Sequence, residues 1–281
     1  MNLLHGANVA PRDKFIQLET LLFWIECNKH GGAIMSKKSI YSNYGIEYAN
    51  GHIVTPIGVM NELLKVGNSK TGRAVRTWSM NTTTCPCHCK GCYGDSGCYQ
   101  FANVKQSLAR NTEIAREHLD FFNRAIRAQL DTFADGTEIR IHALGDFFSY
   151  DYLMVWHDIC KDYPRLVFWT YTKVRAFEDA FNDLPNANIV KSIVPSFGFN
   201  FGHCDYVIDM YNALVSLGAD VYICRCGIDD GQHCAGCHAC SEHEYVLFIE
   251  HSTDYVAIED PRYSELVEII NSQDAPRKVA A

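Results

Sequence analysis

Leu166-Val167-Phe168-Trp169-Thr170-Tyr171-Thr172 is an uninterrupted apolar and β-branched run between two helix-forming stretches. Before it, residues 151–162 have a helical pattern that Pro164 ends; after it, residues 174–181 read as another helix. A strand that is apolar at nearly every position, rather than at alternate ones, is buried on both faces. That points to a parallel sheet covered by helices. The strand-then-helix rhythm extends outward in both directions. Residues 74–80 and 137–144 predict earlier strands, and 189–195, 220–224 and 245–250 later ones. Helices are predicted over 111–130, with Asn111 as N-cap, and over 206–217 and 263–271. About six such units are too few to close an eight-stranded barrel. The expected fold is α/β: a partial (β/α)6 barrel of parallel strands with helices outside and a Cys-rich C-terminal insertion.

Around this core, residues 1–56 are expected to be an N-terminal extension, partly helical. The barrel would span 57–271, opening with a short helix over 57–66 and carrying a Cys-rich loop at 224–243. Residues 272–281 read as a disordered tail. The chain has 281 residues, 47% hydrophobic and 21% charged, so it is globular and long enough to bury a full core. A net charge of −8 argues against a general nucleic-acid binder, which carries a basic footprint. The apolar stretch 18–27 is interrupted by Glu19 and Glu26 and is too short to span a bilayer. No membrane partner is expected, and the cytoplasm is the expected location.

Thirteen cysteines would suit a disulfide scaffold in a small secreted chain. Here ten fall into two short clusters, 85–98 and 224–240, which favours metal or cluster ligation in a reducing compartment. The first cluster, Thr84-Cys85-Pro86-Cys87-His88-Cys89-Lys90-Gly91-Cys92-Tyr93, directly follows a predicted strand. Cys85, Cys89 and Cys92 stand at C-x3-C-x2-C. Three thiolates on one loop can hold three irons of a four-iron cube and leave the fourth open to a small molecule. Zinc binding, or simple burial, is the alternative for the same thiols. The second cluster is Cys234-Ala235-Gly236-Cys237-His238-Ala239-Cys240, a C-x2-C-x2-C run, with Cys224 or Cys226 as a fourth ligand. It suits an auxiliary [4Fe-4S] cluster; a zinc site that draws on His233, His238 or His243 is the competing reading. Gly67-Asn68-Ser69-Lys70-Thr71-Gly72 resembles a phosphate loop only superficially, because Arg73-Ala74 stand where Lys-Ser/Thr is needed.

The stretch Arg140-Ile141-His142-Ala143-Leu144-Gly145-Asp146 has another chemistry. Period-two alternation turns Arg140, His142 and Asp146 to one face, where they would form a polar cavity or a satisfied internal ion pair. Arg140 and His142 are candidate catalytic residues. Tyr171 and Lys173, at the end of the next strand, are further candidates, with a surface helix start as the plainer reading.

C-x3-C-x2-C after the first strand, followed by a Gly-acid turn after the second, resembles the radical S-adenosylmethionine enzymes. The resemblance implies that Cys85, Cys89 and Cys92 hold a [4Fe-4S] cluster whose open iron chelates S-adenosylmethionine. It places Gly145 and Asp146 against the methionine amino group; where an aromatic is expected before the last cysteine this chain has Gly91, and Tyr93, one place later, would supply the ring. It implies a small reductant protein of the flavodoxin or ferredoxin type and a 5′-deoxyadenosyl radical that attacks a peptide, nucleoside or small metabolite. Here Asp146 replaces the usual Glu and one Gly precedes it rather than two. A closer likeness is to phage-encoded gene-product-88-like proteins. It rests on Gly67–Gly72, Thr77-Trp78-Ser79, the cysteine loop, the run 139–148, Tyr171-Thr172-Lys173 and the late cysteines, across roughly 57–250. That family carries no assigned reaction. The likeness implies a phage or prophage origin and a bacterial host cytoplasm. A non-enzymatic, zinc-stabilised binding protein is the alternative to the enzyme.

Overall fold

The computed structural model describes residues 35–67, 75–86, 92–193, 201–225, 237–249 and 257–273. The first helix, α1 (Lys37–Asn43), is capped by Ser36, whose Oγ accepts the Ser39 N–H at 3.2 Å. An antiparallel sheet follows, in the order β1 (Tyr48–Ala49), β2 (His52–Thr55), β3 (Gly58–Met60). Tyr41, Ile46, Ile53 and Met60 from this region pack into the same core as the helices below.

The helix predicted over 57–66 does not form. Gly58 has φ +117, outside the helical region, and Thr55 Oγ1 donates to its carbonyl at 2.6 Å to close a turn. The N–H and carbonyl of Leu64 each bond the buried side chain of Gln129 at 2.8 Å, which leaves neither for a helix. The chain continues instead as β4 (Lys65–Val66), antiparallel to β5 (Arg76–Thr77). The helix predicted from 111 is in fact two, α2 (Ala102–Glu117) and α3 (Leu119–Leu130), broken at His118 with φ −136. Asn111 is buried within α2 and is not a cap; its Nδ2 donates to the Ser79 carbonyl at 2.8 Å.

Next come β6 (Glu138–Ile141), α4 (Tyr150–Asp162), β7 (Val167–Thr172) and β8 (Ala187–Lys191). They complete a five-stranded sheet in the order β4-β5-β6-β7-β8, parallel from β5 onward. α4 buries Tyr152, Leu153, Trp156, Ile159 and Cys160, the spacing of one helix face. That face and the buried face of α3 pack on Ile139, Ile141, Phe168 and Ile189 of the sheet. The helix predicted over 174–181 is reduced to one 3-10 turn, Arg175–Phe177.

The last part holds β9 (Phe201–Gly202), α5 (Cys204–Ser216), β10 (Val221–Ile223), α6 (Ala239–Glu242), β11 (Tyr245–Ile249) and α7 (Tyr263–Ser272). Its parallel sheet has the order β10-β11-β9, with an unforeseen strand β9 beside β11. α5 and α7 cover it through Val207, Ile208, Leu266 and Ile270. Gln273 is anchored rather than frayed, bonded to both backbone groups of Ile223 at 2.6 and 3.3 Å. The two sheets meet where the Lys191 N–H donates to the Glu244 carbonyl at 2.8 Å. The architecture is thus α/β, with parallel strands and covering helices. Among the described residues, no helix is long and apolar enough to cross a membrane. Residues 1–34 and 274–281, at the predicted extension and tail, lie outside the described residues.

Candidate functional site at the strand ends

Parallel strands carry their loops to one end, so whatever follows β5, β6 and β7 converges there. After β5 the chain makes a 3-10 turn, Thr82–Thr84, capped by Asn81, and reaches Cys85. After β6 it turns through Gly145 and Asp146. These two segments touch. The Asp146 N–H donates to Thr84 Oγ1 at 3.1 Å, and the Met80 N–H donates to the Leu144 carbonyl at 2.9 Å. Gly145 has φ +92, and a Cβ on it would lie 2.8 Å from Thr84 Oγ1. Only glycine fits here. The returning arm of the cysteine loop also joins this contact. A Cβ on Gly94 would lie 2.7 Å from Leu144 Cδ1 and 3.4 Å from Cys92 Sγ. Cys85 and Cys92 are both half-buried.

Asp146 is 3% exposed, and protein donors occupy both its oxygens. Oδ1 accepts from the Phe147 N–H at 2.7 Å and the Thr172 hydroxyl at 2.8 Å; Oδ2 accepts from the Lys173 N–H at 2.8 Å. The carboxylate therefore ties the end of β6 to the end of β7. Burial pushes its pKa up to about 6, against the opposing pull of these bonds and of the Lys173 charge. Lys173 is half-buried at the same strand ends.

His142 does not share a face with Arg140, contrary to the alternation. β6 ends at Ile141, and His142 takes φ +61, which swings its ring into the helical side of the sheet. There it is 3% exposed, edge-on to Phe147 at 4.7 Å, with Nε2 2.9 Å from Tyr152 Oη. Trp78 Nε1 donates to the same Tyr152 oxygen at 2.8 Å. Tyr152 thus has its proton available for His142 Nε2, which puts the imidazole hydrogen on Nδ1; that atom has no hydrogen-bond partner among the described residues. Burial pulls the ring down to about 3, so it is neutral. Arg140 faces the other way, its guanidinium 5.2 Å over the Trp169 ring.

The second cysteine region lies on that same side of the sheet. Cys224 packs with Val190 and Val246, and Tyr171 Oη is 3.1 Å from Cys240 Sγ. Burial, followed by Cys240, pushes the Tyr171 hydroxyl well above its ordinary range. Cys237 is half-buried nearby. His238 Nδ1 is 2.7 Å from Glu138 Oε1, and His243 Nδ1 is 3.0 Å from Asp220 Oδ1, so these proposed zinc ligands face carboxylates. Among the described residues, no group of three His, Cys, Asp or Glu side chains is placed to hold a metal ion. Cys89, Cys226 and Cys234 lie outside the described residues; Tyr93 opens the 3-10 turn Tyr93–Asp95.

Sequence reasoning missed Thr84 and Thr172, the hydroxyl partners of the Gly145–Asp146 turn. Thr84 in a 3-10 turn and Thr172 at the end of β7 are β-branched residues of ordinary type, and nothing in their local pattern sets them apart. It also missed the polar side of α2. Asn103, Ser107 and Asn111, spaced four apart, are a legible stripe.

A protein-family model described as Gene product 88 matches residues 59–246. The expected likeness across roughly 57–250 is borne out at that level. No curated protein and no solved structure matches the chain.

Proposed function

The chain belongs to the gene product 88 family, and from that premise we propose that it is an iron–sulfur enzyme of the radical S-adenosylmethionine type. One observation carries the reading. The cysteine loop and the Gly145–Asp146 turn, far apart in sequence, meet at the C-terminal ends of adjacent parallel strands, joined through Thr84. In this reading the two sheets are arcs of a partial barrel, and chemistry belongs at that end.

The donors fit the group. Half-buried thiols on a short loop are soft ligands suited to an iron–sulfur cube, and Cys85 and Cys92 would hold it together with Cys89. When bound, the cluster supplies an electron and an open iron for the reductive cleavage of S-adenosylmethionine. The protein's own residues do the rest. Gly145 lets the turn approach the cysteine loop closely. Asp146 and Thr172 hold that turn rigid against β7. Lys173 brings a cation to the strand ends, and Arg140, its guanidinium 5.2 Å over Trp169, orients a substrate charge. His142 acts through Tyr152 to fix the end of β6, as a positioning residue. Cys224, Cys237 and Cys240, with Cys226 and Cys234, are assigned to an auxiliary cluster near Tyr171.

The test is iron and sulfide analysis of anaerobically purified, reconstituted protein, followed by electron paramagnetic resonance after reduction. Iron and sulfide sufficient for two clusters are expected, with a signal that changes when S-adenosylmethionine is added. Zinc without sulfide would sink the proposal and favour a zinc-stabilised binding protein.

A further inference from the structure

Register across the five-stranded sheet lines up Lys65, Thr77, Arg140, Trp169 and Asn188, one from each strand from β4 to β8. The Lys65–Arg140 end of this row opens into a groove of about 370 Å³, walled on its far side by Tyr99 and the start of α2. Some arginines elsewhere in the molecule have carboxylate partners: Arg127 meets Asp162 and Arg262 meets Asp209, each at 2.7 Å. Arg140 in the groove has none among the described residues. Arg140 Nε is buried without a hydrogen-bond partner among the described residues, and its guanidinium is backed by Trp169 rather than by an acid. A buried donor left unmade is costly, and a bound acceptor would recover that cost.

The opposite wall has the complementary defect. Asn111 is 4% exposed and lines the groove. Its Nδ2 is committed to the Ser79 carbonyl, which fixes the orientation of the amide. Its Oδ1 has no partner among the described residues. The groove thus holds an orphan cationic donor on the sheet, an exposed lysine at its rim and an orphan acceptor on the helix.

We propose that this groove binds inorganic phosphate, its oxygens on Arg140 and Lys65 and its remaining hydroxyl donating to Asn111 Oδ1. A guanidinium can receive two phosphate oxygens along one edge of its planar fork, and Trp169 backs this one at 5.2 Å. Sulfate has the same shape and charge but no O–H at neutral pH, and malonate offers carboxylates without a donor. Phosphate is therefore the anion that satisfies both walls. The assignment rests on the groove alone and does not depend on what the cysteines hold.

The experiment uses the full-length protein at constant ionic strength, with inorganic phosphate, sulfate and malonate as probes of thermal stability. Constant ionic strength removes general screening from the comparison. Phosphate is expected to raise the melting temperature saturably, and sulfate and malonate to do so more weakly. Arg140→Gln and Lys65→Gln should each weaken the phosphate response by about tenfold in apparent Kd. Lys65 is exposed, so that variant tests the site even if Arg140→Gln folds poorly. Absence of a saturable response to phosphate, or a response unchanged in the Lys65 variant, overturns the site. Equal responses to phosphate and sulfate overturn the part assigned to Asn111.

Discussion

His142 sits at φ +61 with its ring 3% exposed, accepting from Tyr152 and edge-on to Phe147. In the unfolded chain it takes a proton near pH 6.5; in the folded protein, burial delays that to about 3. Between those values the unfolded state binds more protons, so the stability this group contributes is complete above about pH 6.5 and is lost as pH falls. Asp146 has the opposite sign. Its folded pKa is raised from 3.8 to about 6, so the folded state holds the extra proton and stability falls as pH rises through that window. The prediction isolates His142 by difference. Wild type should lose roughly 3 kcal/mol more than His142→Gln between pH 7 and pH 4, measured by urea unfolding at each pH. Parallel profiles for the two proteins would show that the ring does not resist protonation. The residue types in this stretch were legible in the sequence; the direction in which His142 points was not. Strict alternation holds only while the backbone stays extended, and it stops being extended one residue earlier.

The turn after β6 is the element on which the candidate site depends. Gly145 and Gly218 both have positive φ, +92 and +79. A Cβ on Gly145 would meet Thr84 Oγ1 at 2.8 Å and Met80 Cβ at 3.1 Å, whereas a Cβ on Gly218 would meet nothing within 4 Å. Replacing either by alanine incurs the backbone penalty of about 1–3 kcal/mol. Gly145→Ala should cost more than Gly218→Ala, because one substitution also drives the turn off the cysteine loop. Denaturant midpoints of the two variants test this, and equal losses would mean that the contact with Thr84 is soft. At this scale the sequence was read well where both strand faces are buried, as in β7, and badly where the side chains were ambiguous. The apolar residues 57–66 suit a helix by count, yet the positive φ of Gly58 and the grip of Gln129 on Leu64 make them strand and turn.

At the scale of the whole molecule, the five-stranded sheet and the β10-β11-β9 sheet are joined along β8, where the Lys191 N–H meets the Glu244 carbonyl. Asn188 Nδ2 donates to the carbonyls of Cys240 at 3.0 Å and His243 at 2.8 Å, which ties β8 to the segment that carries the late cysteines. Asn188→Ala should leave those carbonyls unsatisfied at a cost of about 1–3 kcal/mol. Amide hydrogen exchange should quicken over residues 237–249 while β6 and β7 keep their protection. Uniform quickening across both sheets would mean that the join is not local. The second sheet was also the part of the fold least legible in advance. Its strands β10 and β11 are short apolar runs that announce themselves. Their order around β9 depends on contacts far along the chain.

What the sequence alone determined is the class of fold, the positions of most strands and helices, the two cysteine-rich segments and the family likeness. All of these follow from local pattern: apolar periodicity, spacing between thiols, and turn residues. Only the tertiary structure decided that Asp146 spends its oxygens on Thr172 and on the Phe147 and Lys173 amides, that His142 and Arg140 lie on opposite faces of one sheet, and that Arg140, Lys65 and Asn111 share a groove. Each of those outcomes depends on which distant groups compete for the same donor, acceptor or space. That competition is settled by packing, which no local pattern encodes.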